Sequence, residues 1–117
     1  MKFNELDLNE DLIKGIHETG FTSCTHVQEA TFGHTLKNRD VCVQSQTGTG
    51  KTAAFLISLF ELMNRHQGGK RAKALIITPT RELASQIEDE ALQLGRHLNL
   101  LIGTFYGGVG YKTQEQL

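Results

Sequence analysis

The chain has 117 residues, with 12 basic and 13 acidic side chains. That length suits one small domain with a real core. The balanced charge excludes a globally basic binder of nucleic acid or membrane, so any such surface must be local. Cys24 and Cys42 match no metal or redox spacing, and the five histidines are scattered. A reducing, cytoplasmic setting is the simplest expectation. The mixed polar start, Met1 to Asp7, does not read as a signal peptide, and no run is long enough to span a bilayer.

Asn9 is placed to cap a first helix, with Glu10 and Asp11 in its first turn and Leu8 and Ile13 spaced as a hydrophobic staple. Gly20 punctuates its end. Thr25 and Gln28 have capping-box spacing, which predicts a second helix to about Lys37. Val41-Cys42-Val43 reads as a strand, followed by a glycine-rich bend. The helix after Lys51 carries Phe55, Leu59 and Leu62 on one stripe, with Leu56 and Phe60 beside it, apolar enough to pack on a sheet. Gln67 to Arg71 reads as an exposed loop. Ala74 to Thr78 is a second strand, of the unbroken apolar kind that suits a parallel sheet covered on both faces. Thr80 caps the next helix, with Leu83, Ile87, Ala91 and Leu94 at near-fourfold spacing. Leu100 to Phe105 is a third strand, broken by Gly107-Gly108, and the tail from Tyr111 reads as a helix start. Alternating strands and helices predict α/β winding with right-handed crossovers.

The bend is the centre of the pattern. Ser45-Gln46-Thr47-Gly48-Thr49-Gly50-Lys51-Thr52 joins a strand to a helix start, as a phosphate-binding loop requires. Gly48 and Gly50 let successive N–H groups turn toward an anion, and the new helix adds its own N–H groups and dipole. Lys51 supplies charge for the outer phosphates, and Thr52 a hydroxyl suited to magnesium. The plainer alternative is a flexible polar turn. Ligands in such sheets sit at the carboxyl ends of the strands, where this bend, the Pro79-Thr80 turn and the Gly107-Gly108 turn all fall.

Gly20-Phe21, Cys24-Thr25-His26-Val27-Gln28, the phosphate loop, Pro79-Thr80-Arg81-Glu82-Leu83-Ala84 and Gly107-Gly108 together resemble the DEAD-box RNA helicases, in order and spacing. The resemblance covers the whole chain. It implies an α/β, RecA-like P-loop NTPase fold, a parallel sheet with helices on both faces. Residues 1–117 would form a truncated helicase ATP-binding domain, with a Q-motif segment over 1–30 and the phosphate loop over 45–52. The implied cofactors are ATP and magnesium, and the implied partner is RNA. Gln28 would read adenine, because a side-chain amide offers a donor beside an acceptor. Thr25 would belong to the same site, and Phe21 and Phe3 would lie near the base. Pro79, Thr80, Arg81, Gly107 and Gly108 would meet the RNA backbone. The run Tyr106 to Tyr111, with Cys24, is similar to the helicases of bacterial RNA-degrading assemblies. Two departures stand out. Ser45 replaces the usual Gly or Ala, and Cys24 and His26 stand where the family has proline, which predicts a looser turn. Read without the resemblance, Thr25 and Gln28 form a capping box, and residues 79–81 and 107–108 form a capped helix and a glycine turn.

No Asp-Glu-Ala-Asp occurs in the chain, nor a second RecA-like domain with its arginine finger. Phosphoryl transfer needs metal and charge on both sides of the γ-phosphate. The expectation is therefore nucleotide binding without turnover in this chain, and RNA-dependent ATP hydrolysis and unwinding in a complete parent. A stand-alone P-loop nucleotide-binding or interaction module is the competing reading. A small P-loop kinase or GTPase is a third, without a lid-like arginine run or an Asn-Lys-x-Asp segment. An uncompleted sheet would leave an unpaired edge and predicts self-association.

Overall fold

The computed structural model describes residues 1–44, 50–65 and 74–105. Ser45 to Thr49, the expected loop Gln67 to Arg71, Gly107-Gly108 and the tail from Tyr111 lie outside the described residues. Among the described residues a 3-10 turn, Phe3–Glu5, precedes four helices: α1 Glu10–Glu18, α2 His26–Thr35, α3 Lys51–Arg65 and α4 Arg81–Leu94.

Each helix starts where local chemistry dictates. Asn9 Oδ1 accepts from the N–H groups of Asp11 and Leu12, which satisfies two donors that lack a partner inside the helix. Thr25 and Gln28 close a full capping box. Thr80 Oγ1 accepts from Leu83 N at 3.2 Å. Gly20 ends α1 at φ +102, and Asn38 turns the chain after α2 at φ +61; both take the left-handed conformation that glycine and asparagine tolerate. α2 stops at Thr35, two residues before the expected Lys37.

The core lies between the helices. α2 packs along α3, α1 crosses α4, and α3 touches all three others. Leu12 and Ile16 of α1, Phe32 of α2, Leu56, Ile57 and Phe60 of α3 and Leu94 of α4 are buried together. Gly15 makes the α1–α4 crossing close: a Cβ there would collide with the Leu94 carbonyl oxygen. The first residues are stitched to the turn after α1. Cys24 N donates to Met1 O at 2.8 Å and Phe3 N to Thr22 O at 3.4 Å, and Lys2 and Ser23 form an antiparallel bridge.

One expectation is refined and one corrected. The buried face of α3 runs through Ala53, Ala54, Leu56, Ile57, Ser58, Phe60 and Glu61, and it faces other helices. The stripe of Phe55, Leu59 and Leu62 is only half-buried; it lines a cavity of about 430 Å³ together with Leu75 and Ile76. The correction concerns the sheet. Among the described residues there is no β-ladder. The three apolar runs at 41–43, 74–78 and 100–105 carry no regular structure, and Leu75, Ile77 and Leu101 are more than 80% exposed, at 85%, 85% and 82%. An apolar run records what a segment can bury; pairing needs a neighbouring strand, and an unpaired strand has no ladder to hold it.

Candidate functional site

The site is built where the capping box of α2 meets the first turn of α3. Gln28 is 0% exposed although it is polar. Its Oε1 accepts from Thr25 N at 2.9 Å, and its Nε2 donates to Gly50 O at 3.2 Å. Thr25 Oγ1 accepts in turn from Gln28 N at 3.2 Å. The amide thus closes its own helix cap and reaches across to the head of α3 at once. An amide has two N–H donors and two acceptor lone pairs, so one of each remains for a further partner.

Gly50 is required twice at this contact. Its φ is +82, a conformation that L side chains rarely adopt. A Cβ there would also collide with Gln28 Nε2. The Gly50 carbonyl accepts from Ala54 N at 3.0 Å as well, which starts α3. Lys51 and Thr52 then form the first helical turn, both half-buried. A fifteen-residue helix that begins here turns its first-turn N–H groups and the positive end of its dipole toward its head, where an anion is favoured. These three residues therefore fit a phosphate group. Thr52 also borders the cavity behind α3, near Asp40 and Arg39.

The aromatic residues divide. Phe3 is fully buried, its ring 6.1 Å from Phe21 and 6.2 Å from Phe32. Burying a phenyl ring stabilises by about 2–3 kcal/mol, so Phe3 anchors the first residues in the core and backs Phe21. Phe21 is half-buried. Cys24, in the same turn, has its thiol pushed up, first by burial and then by the Glu29 and Glu5 carboxylates, with the N-terminal ammonium opposing. Pro79, Thr80 and Arg81 stand exposed at the head of α4, where Thr80 caps its own helix.

Glu61 and Arg65 belong to the same frame and carry no motif. Glu61 is 4% exposed. It accepts from Asn9 N and from Arg65 Nε, both at 2.7 Å. Arg65 donates further to Leu36 O at 3.0 Å and Asp7 O at 2.9 Å. In sequence this is an (i, i+4) pair that reads as solvated. The available signal is position: Glu61 falls on the same face as Ala54, Ile57 and Ser58.

The profile of the DEAD/DEAH box helicase family matches residues 25–117. The DEAD-box ATP-dependent RNA helicase RhpA of Helicobacter pylori is 47% identical over 113 residues, 96% of this chain and 22% of that protein. The ATP-dependent RNA helicase RhlB of Pseudoalteromonas atlantica is 40% identical over 97% of this chain and 28% of that one. The chain thus spans about a quarter of the length of these curated relatives. Among solved structures, a DEAD box protein from Methanococcus jannaschii superposes with a TM-score of 0.88 at 39% identity, over 99% of this chain and 31% of that one. The RNA helicase Prp28 of Chaetomium thermophilum, bound to ADP, superposes at 0.84 with 32% identity, over 97% of this chain and 28% of its own. The backbone carries the RecA-like fold of these proteins, with its helical layer shown by the described residues. This chain belongs to the DEAD/DEAH box helicase family.

Proposed function

We propose that this chain is the ATP-binding part of a DEAD-box RNA helicase, whose complete form couples RNA-dependent ATP hydrolysis to RNA unwinding. Residues 1–117 are read as a partial ATP-binding domain, with the Q-motif segment over 1–30 and the phosphate loop over 45–52. One observation carries the reading: the buried Gln28 amide is bonded to Gly50, the residue that opens the phosphate-side helix. Base reading and phosphate binding are thereby joined in one contact.

The roles follow from the residues. Ser45 to Gly50 would wrap the phosphates with backbone N–H groups, and Lys51 would neutralise the outer ones. Thr52 would hold magnesium through its hydroxyl, and that ion would supply positive charge against the phosphates. The spare donor and acceptor of Gln28 match the amino group and ring nitrogen on the edge of adenine. Because Gln28 is fully covered, an arriving base has to displace a covering group before it is read. Phe21 then offers an apolar wall, and Thr25 holds the Gln28 backbone. Pro79, Thr80 and Arg81, with Gly107 and Gly108, are proposed to meet RNA phosphates, supported by the likeness to RNA helicases and by the cation at the head of α4.

The chain contains no Asp-Glu-Ala-Asp, so binding without turnover is the expected behaviour. ATP and GTP titrations test it. Lys51→Ala should weaken both nucleotides, and Gln28→Ala should weaken ATP selectively. Comparable affinity for ATP and GTP would overturn the adenine assignment; Lys51-dependent hydrolysis by this chain alone would overturn the second part.

A further inference from the structure

We propose that Arg65, acting with Glu61, is a positioning residue for base selectivity, holding α2 in register along α3 so that Gln28 meets the nucleotide. This rests on the nucleotide-binding reading above. α2 and α3 run side by side in the same direction, tied by three contacts. At their heads Gln28 Nε2 bonds Gly50 O at 3.2 Å. Thr35 Oγ1, at the last residue of α2, and Ser58 Oγ, midway along α3, share a buried hydrogen bond of 2.7 Å. At their ends the Arg65 guanidinium takes Leu36 O, the C-cap carbonyl of α2, at 3.0 Å.

The last tie is the strongest kind. A guanidinium at the C-terminus of a helix meets both an unsatisfied carbonyl and the negative end of the dipole. Its planar fork uses separate nitrogens for Glu61, Leu36 and Asp7, which a single ammonium cannot reproduce. Glu61, nearly fully buried, then fixes Asn9 N, the start of α1. One ion pair thus joins the Q-motif segment, the end of α2 and the last turn of α3. It lies roughly 20 Å along α3 from Gly50 at 1.5 Å per residue. A small slip or rotation of α2 at this end moves Gln28 at the other, because packed helices transmit displacement.

The test uses this chain with ATP, GTP and inorganic tripolyphosphate as probes, measured by calorimetry alongside thermal unfolding. Arg65→Lys keeps the charge and loses the fork. Glu61→Gln keeps the shape and the acceptor for Asn9 N–H. In each folded variant the preference for ATP over GTP should fall by about fivefold, the worth of one mis-set neutral hydrogen bond. Tripolyphosphate affinity should stay unchanged. Placing Arg65→Lys in a Gln28→Ala background should produce no further loss of preference. A merely structural role would lower all three ligands together, and that result overturns the proposal, as does an unchanged preference in both variants. Should Arg65→Lys fail to fold, Glu61→Gln decides by the same ratio. Equal ATP and GTP binding by the unaltered chain sinks the adenine reading and this proposal with it; a preference that survives both substitutions sinks the clamp alone.

Discussion

Gln28 Nε2 donates to Gly50 O at 3.2 Å, and the space this bond occupies is the space a Gly50 side chain would need. The amide and the glycine are therefore one structural unit across 22 positions of sequence. Gly50→Ala should force an unfavourable φ and push the Gln28 amide aside. The backbone cost is about 1–3 kcal/mol, and the displaced amide loses its bond to residue 50. Urea unfolding should show the destabilisation, and nucleotide titration a reduced preference for ATP. A Gly50→Ala chain with unaltered midpoint and preference would refute the coupling.

Gly15 tests the crossing of α1 and α4. Glycine inside a helix is normally improved by alanine, by about 1 kcal/mol. Here the added methyl would meet the Leu94 backbone carbonyl, which cannot rotate away. Overpacking of this kind costs about 1–3 kcal/mol, so the steric term wins or cancels the gain. Gly15→Ala should lower the thermal midpoint or leave it unchanged. A clear rise would show that the helices can separate freely.

Caps were legible in the sequence because their chemistry is local. Asn9, Thr25 with Gln28, Thr80 and Gly20 all sit where short-range rules place them. The Gln28–Gly50 bond was half-legible: each residue belongs to a motif, but no spacing rule says that they touch. Glu61 and Arg65 were illegible because their partners Asn9, Leu36 and Asp7 lie 52, 29 and 58 residues away. The stripe of Phe55, Leu59 and Leu62 on α3 faces Leu75 and Ile76 across the cavity, and periodicity alone says only that a face is apolar, not how closely its neighbour packs. Unpaired runs at 74–78 and 100–105 show the same limit, since pairing is a property of two segments.

The Glu18 contact predicts a pH dependence. Glu18 accepts from His97 Nε2 at 2.7 Å and Arg96 at 3.2 Å, joining the end of α1 to the turn after α4. The His97 hydrogen bond, with the Arg96 and Lys14 charges, holds its carboxyl below the ordinary carboxylate range. Folding then favours the charged form. The stabilisation is present above the unfolded value and is lost as pH falls through the lowered folded value. Glu18→Gln should be less stable than the parent at neutral pH and match it in strong acid. Added salt should shrink the difference, because the pair is exposed. An equal gap at both pH values would rule out this origin.

Leu75 and Ile77, each 85% exposed on alternate positions of one apolar run, predict association of this chain. Exposed apolar runs with free backbone groups pair with other chains. Sedimentation velocity should show a concentration-dependent increase in size, reduced in Ile77→Lys. A monomer at every concentration would contradict the prediction.

The pairing of the first three residues with positions 22–24 has a practical side. Met1 O holds Cys24 N–H, and the Met1 ammonium lies 3.8 Å from Glu29. A purification handle fused upstream would emerge beside Cys24 and Glu29 and would remove the ammonium from its place near that carboxylate. Exopeptidase trimming of even one residue would strip the turn of an acceptor.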